Sequence, residues 1–134
     1  MSDIPKPRLL SADGRQALLE HYRDGLLKDV LPFWLKHAVD DEYGGYMTAL
    51  DRDGSVLDTD KGIWAQGRFA WLLSKLCTTV EMRPEWLAAA ETGIRFLDQH
   101  AVDSSDGRMW FQVTRDGRPI RKRRYAFSES FAAI

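Results

Sequence analysis

Ile63-Trp-Ala-Gln-Gly-Arg-Phe-Ala70 and Ala126-Phe-Ser-Glu-Ser-Phe-Ala-Ala133 lie 63 residues apart, and the same offset carries Arg52-Asp-Gly54 onto Arg115-Asp-Gly117. Identity between the copies is low, but the order of helix, hairpin and helix is the same in both. Self-similarity at this period predicts a stacked architecture, because one helix pair cannot bury its own apolar face and needs neighbours on both sides. An α/α toroid meets that requirement.

Outward from this repeat, the helices follow from spacing. Ser11 and Asp13 offer N-cap oxygens. From Gln16 onward Leu19, Tyr22, Leu26, Val30 and Phe33 recur at steps of three and four, which predicts an amphipathic helix with a bend at Pro32. A second helix is predicted from Lys61 to about Val80. There Ile63, Trp64, Ala70, Trp71, Leu72 and Leu76 nearly encircle the axis, so burial on most sides is expected. A third runs from Pro84, a residue suited to a first helical position, through Leu87, Ala90, Ile94 and Leu97 to about His100. Phe127-Ser-Glu-Ser-Phe-Ala-Ala-Ile134 starts like a fourth and stops without a helix-ending residue. The expectation is therefore a single partial domain over residues 1–134, holding the first two helix pairs of a larger ring and truncated at its C-terminal end, with apolar surface at its open edges.

Between the helices the pattern changes to hairpins. The paired glycines of Asp40-Asp-Glu-Tyr-Gly-Gly-Tyr46 mark a loop with unusual backbone angles. Tyr46–Leu50 and Ser55–Leu57 then flank a turn at Asp53-Gly54, and Met109–Val113 and Arg118–Ile120 flank a turn at Arg115-Asp-Gly117.

Composition limits the function classes. The chain has 134 residues, 44% of them hydrophobic, and its 19 Lys+Arg against 20 Asp+Glu leave a formal charge of -1. Nothing in that balance draws it to nucleic acid or an anionic membrane. Arg121-Lys-Arg-Arg124 is read as a solvated loop ahead of a nucleic-acid patch. No window approaches the roughly 18 apolar residues of a membrane span, and the first residues lack the apolar core of a secretion signal. Cys77 is the lone cysteine and reads as core filler, which suits a reducing compartment; a cytoplasmic location is expected. Asp51, Asp53, Asp58 and Asp60 lack the spacing of a calcium loop and read as turn residues. With no Cys/His cluster and no glycine-rich phosphate loop, no cofactor and no metal is expected.

An ordered set of motifs narrows this further: Gly44-Gly-Tyr46, Asp60-Lys61, Trp64-Ala-Gln-Gly-Arg68, Arg115-Asp-Gly-Arg-Pro119 and Phe127-Ser-Glu129. Together they resemble the N-acylglucosamine 2-epimerase family over nearly the whole chain. The resemblance implies an (α/α)6 barrel, longer than this chain. It also implies chemistry on an open-chain sugar: removal of the proton beside the carbonyl, an ene-diolate, and return of a proton to the opposite face or to the neighbouring carbon. N-acylglucosamine 2-epimerases, cellobiose 2-epimerases and aldose–ketose isomerases share this scheme.

Trp64 and Arg68 are four apart and so share a helix face. An indole suits the C–H face of a sugar, and a guanidinium donates fixed hydrogen bonds to an oxygen that becomes negative. The opposing reading is that Arg68 pairs with a carboxylate such as Asp60 and only holds the helices together, since a charge in so apolar a segment is costly without a partner. The resemblance implies a substrate-binding role for Trp64 and an essential one for Arg68. Phe127, at the repeat position of Trp64, is weighed as pocket wall or plain core. Glu129 is weighed as a hydroxyl acceptor or as the structural partner of Arg68, and Trp110 as part of the barrel mouth or as packing. The family's two histidine bases lie downstream. His21, His37 and His100 match neither and read as surface or capping residues, so the chain alone is expected to be inactive. A non-catalytic carbohydrate-binding or interaction module remains the alternative from another class. A small-molecule sugar is the expected partner, and the oligomeric state stays open, a homodimer of the full-length protein included.

Overall fold

The computed structural model describes residues 11–122 and 126–134, in two compact units, 1–34 and 35–134. In the first, helix α1 (Ala12–Asp24) is capped by the Ser11 hydroxyl, which accepts from the Gly14 N–H at 3.0 Å. Gly25–Val30 then form a π-helical stretch that leads into α2 (Leu31–His37). The irregularity falls on the turn before Pro32 rather than at it, where the proline's missing N–H leaves a gap in the ladder. Of the predicted apolar stripe, Leu19, Tyr22 and Val30 are exposed, while Leu26 and Phe33 are half-buried.

The second unit carries β1 (Ala49–Leu50), β2 (Val56–Asp58), β3 (Lys61–Gly62), α3 (Ile63–Thr79), α4 (Pro84–His100), β4 (Gln112–Val113), β5 (Pro119–Arg121) and α5 (Phe127–Ala132). β1 and β2 form the first hairpin. The second is shorter than Met109–Val113 suggested and is not a simple hairpin, because β4 pairs with β5 on one side and with β3 on the other. Lys61 and Gly62 are consequently strand, and the helix expected from Lys61 starts at Ile63.

The repeat reappears in the backbone. Val39 bridges Tyr46 as Val102 bridges Met109. The Met47 N–H bonds Ala38 O as Trp110 bonds Ala101 O, and the Asp40 N–H bonds Gly45 O as Asp103 bonds Arg108 O. His37 and His100 end α2 and α4, and each lies under the turn glycine of its own repeat, Gly54 (φ 89°) and Gly117 (φ 88°). A Cβ on either glycine would collide with the imidazole, so these two histidines are half-buried at the ends of their helices, nearer the capping reading than that of open surface residues.

Helix α3 packs on α4 and α5. Its buried residues Ile63, Gln66, Gly67, Ala70, Leu73, Leu76 and Cys77 recur at steps of three and four, as one covered stripe requires. Ile63 joins Phe96, Leu97, Ala101 and Val113 in a core cluster, against which Met109, Trp110 and Ala132 pack. Burial on most sides does not hold: Trp64 is 36% and Trp71 38% exposed, on a face that α5 covers only in part. Cys77 is buried and free, as read.

Candidate functional site

Trp64, Arg68 and Trp71, at i, i+4 and i+7, form the partly covered stripe of α3. Helix α5 sets rings beside it. The Trp64 ring lies 5.7 Å from those of Phe127 and Phe131, which are 5.1 Å apart, and Phe111 stands 6.3 Å from Phe127. α5 reaches this position because residue 67 is glycine: a Cβ there would strike the carbonyl of Phe131. Phe127 is 39% exposed.

The Arg68 guanidinium is exposed and sits 5.4 Å over the Phe131 ring. Among the described residues it has no carboxylate partner. Asp60, the partner weighed for it, accepts from Gln112 at 3.4 Å instead. Glu129 accepts the Met109 N–H at 3.1 Å and faces Arg108 at 3.9 Å. That is the bond Gln66 makes one repeat earlier, where its Oε1 accepts the Tyr46 N–H at 2.7 Å. The structure thus sets Glu129 as a loop anchor and not as the partner of Arg68. Trp110 is half-buried against the core, with the Lys122 ammonium 4.5 Å from its ring centre.

Lys122 also bridges Asp103 at 2.5 Å and Asp106 at 2.9 Å, so this part of the basic run is paired rather than loose. Arg123 and Arg124 lie outside the described residues. Asp51, Asp53 and Asp58 each accept a backbone N–H of their own turn, as turn residues do, and no group of three metal-ligating side chains occurs among the described residues.

Beneath the start of α3 lies a buried ionic cluster that spacing did not disclose. Lys61 is fully buried and all three of its donors are used, on Asp40 Oδ2 (2.8 Å), Gly44 O (2.6 Å) and Arg115 O (2.9 Å). Asp40 also takes a bidentate fork from Arg115, with both bonds at 2.9 Å, and the N–H groups of Glu42 and Tyr43. Glu42 pairs with Arg115 at 3.0 Å. The loop of the first repeat is thereby tied to the hairpin turn of the second.

Burial alone would push the Asp40 carboxyl up, but the hydrogen bonds from Arg115 and Lys61 outweigh it and hold the group well below the usual carboxylate range. Asp103 is drawn down to about 2, chiefly by the Lys122 hydrogen bond. Both folded values lie below the unfolded one, near 3.9, so the unfolded chain binds these protons first as pH falls. The stabilisation is complete above about pH 4 and drains away below it. Thermal melts from about pH 5 to pH 2 should show a midpoint that holds to about pH 4 and then falls with pH, and a profile flat down to about pH 2 would contradict the pairing.

Open clefts of about 260 Å³ and 370 Å³ flank the Asp40–Gly44 loop and α4; Trp64 and Arg68 line neither.

Residues 44–134 match the family described as N-acylglucosamine 2-epimerase (GlcNAc 2-epimerase). The chain belongs to the N-acylglucosamine 2-epimerase family. It is 41% identical over 122 residues to the N-acylglucosamine 2-epimerase of Bos taurus, covering 87% of this chain and 29% of that protein. A cellobiose 2-epimerase structure from Bacillus thermoamylovorans B4167 superposes with a TM-score of 0.76 at 29% identity, over 87% of this chain and 30% of the other. A D-mannose isomerase structure matches with a TM-score of 0.71 at 20% identity, over 84% and 28%, which bears on the fold alone. The fold is that of the α/α-barrel epimerases, present here as an open, mostly helical segment with short strands and no closed ring. The chain spans under a third of the length of these family members. No helix among the described residues is long and apolar enough to cross a membrane.

Proposed function

We propose that this chain supplies one wall of the sugar site of a cytoplasmic 2-epimerase, and that the rest of the barrel supplies the bases. The observation that carries the reading is an exposed guanidinium with no carboxylate partner among the described residues, one helical turn from an indole and over the Phe131 ring. When a base removes the C2 proton of an open-chain sugar, the electron pair moves through the C1–C2 bond to the carbonyl oxygen. Arg68 donates to that oxygen as its charge develops, while Trp64 and Phe127 hold the C–H face of the sugar. Family membership favours N-acylglucosamines or glucosides such as cellobiose. The buried, free cysteine suits the reducing cytoplasm.

His37 and His100 are half-buried beneath the turn glycines of their hairpins and away from Trp64 and Arg68 in sequence, so the base is assigned to another part of the barrel, and the chain alone is inactive in this reading. The full-length protein is to be incubated with N-acylglucosamine, cellobiose and mannose, and the products separated. The 2-epimer of one of the first two is the expected product. A ketose would move the assignment to an aldose–ketose isomerase, which returns the proton to C1. Absence of product from every sugar would leave a binding module and overturn the enzymatic reading.

A further inference from the structure

The repeat places Phe131 where the first copy has Arg68, and in space the two meet, the guanidinium carbon 5.4 Å from the ring centre. We infer that Phe131 is the positioning residue for Arg68, holding the guanidinium by its ring face so that the N–H groups stay free for the sugar oxyanion. This rests on the epimerase reading of the site.

The alternative way to fix an arginine is a carboxylate, and the neighbouring acids are already engaged. Glu129 is tied to the Met109 N–H and Arg108, and Asp60 faces Gln112. A bidentate carboxylate would also take two donors and neutralise the charge that the ene-diolate needs. The negative face of an aromatic ring attracts the cation without neutralising its charge. Phe131 is itself well fixed. Its backbone carbonyl abuts Gly67, and its ring is braced by Trp64 at 5.7 Å and Phe127 at 5.1 Å. Arg121 lies over Phe111 in the same way, at 5.1 Å, but also donates to Gln112, a tie that Arg68 does not have among the described residues.

The test is graded fluorination of the Phe131 ring in the full-length protein, with one, two and three fluorines, which drains the ring face of charge while barely changing its size. Deuterium exchange at C2 of the sugar that the wild-type protein turns over is the readout, with the melting midpoint followed in parallel. The expected result is a stepwise fall in kcat, reaching about 2- to 30-fold at the trifluoro ring, with KM and the melting midpoint nearly unchanged. A kcat indifferent to fluorine would overturn the inference while leaving the epimerase reading intact. A wild-type protein that exchanges no C2 proton would overturn that reading, and the inference with it.

Discussion

Replacing Asp40 by alanine is expected to destabilise the full chain by about 3 to 5 kcal/mol, the range for removing one partner of a buried ion pair. The size follows from what is left behind. Lys61 has no exposed surface, and its ammonium would keep only two carbonyl oxygens, those of Gly44 and Arg115. Burial already works against the charged form of Lys61, with the Asp40 hydrogen bond opposing it. In a unit of about 100 residues each kcal/mol lowers the melting midpoint by about 4 to 8 °C, so calorimetry reads the effect directly. The double replacement Asp40→Ala with Lys61→Met serves as the internal check. Exchanging both charges for apolar groups should recover much of the loss, since the penalty belongs to the stranded ammonium rather than to the missing bond. If Asp40→Ala melts with the wild type, Lys61 is reaching water and the described cluster is wrong. The cluster also bears on the site, because Lys61 in β3 leads directly into α3 and so fixes where Trp64 and Arg68 begin.

Replacing Arg68 by alanine is expected to cost about 3 to 4 kcal/mol of transition-state stabilisation in the full-length enzyme, the range for losing one donor to a developing oxyanion, or roughly 100- to 1000-fold in kcat. Stability should change little, because Arg68 is exposed and its one described contact is the face of Phe131. The two replacements therefore separate: Asp40→Ala acts on the melt, Arg68→Ala on turnover. An Arg68→Ala protein that turns over sugar at the wild-type rate would remove this side chain from the mechanism. One that fails to fold would assign it the structural role weighed against the catalytic one.

Much of this was legible in the chain because it is local. The extents of α3 and α4, the Asp-Gly turns and the shared face of Trp64 and Arg68 depend on residues within a few turns of one another. The face that α4 buries was not legible in this way: Leu87 and Ile94 of the predicted stripe are 41% and 53% exposed, while Trp86, Ala89, Gly93 and Phe96 are buried. The 63-residue offset needed only comparison of the chain with itself, and the paired loop bonds of Asp40 and Asp103 follow it. What escaped depends on partners far along the sequence. Lys61 reads as the first residue of a helix until Gln112 and Val113 recruit it into a sheet, and its burial depends on Asp40 and on Arg115, read only as a turn residue. Phe131 reads as one more apolar residue of a short helix, and only α5 lying against Gly67 brings its ring under Arg68. The anchoring role of Glu129 has a signal in the repeat, since its counterpart Gln66 carries an amide, which makes the same loop bond without a charge. The exposure of Trp64 and Trp71 contradicts the reading of α3 as buried on most sides, and it is also what leaves Arg68 open to a ligand.

In the proposed function Arg68 faces a sugar whose C2 proton is being removed. The most direct measurement incubates the full-length protein, wild type and Arg68→Ala, with N-acylglucosamine in deuterated water and follows the C2 hydrogen by NMR in substrate and product alike. Deuterium should enter C2 with the wild type and enter at least about 100-fold more slowly with the variant, whose fold is intact. Exchange at equal rates in the two proteins would contradict the account.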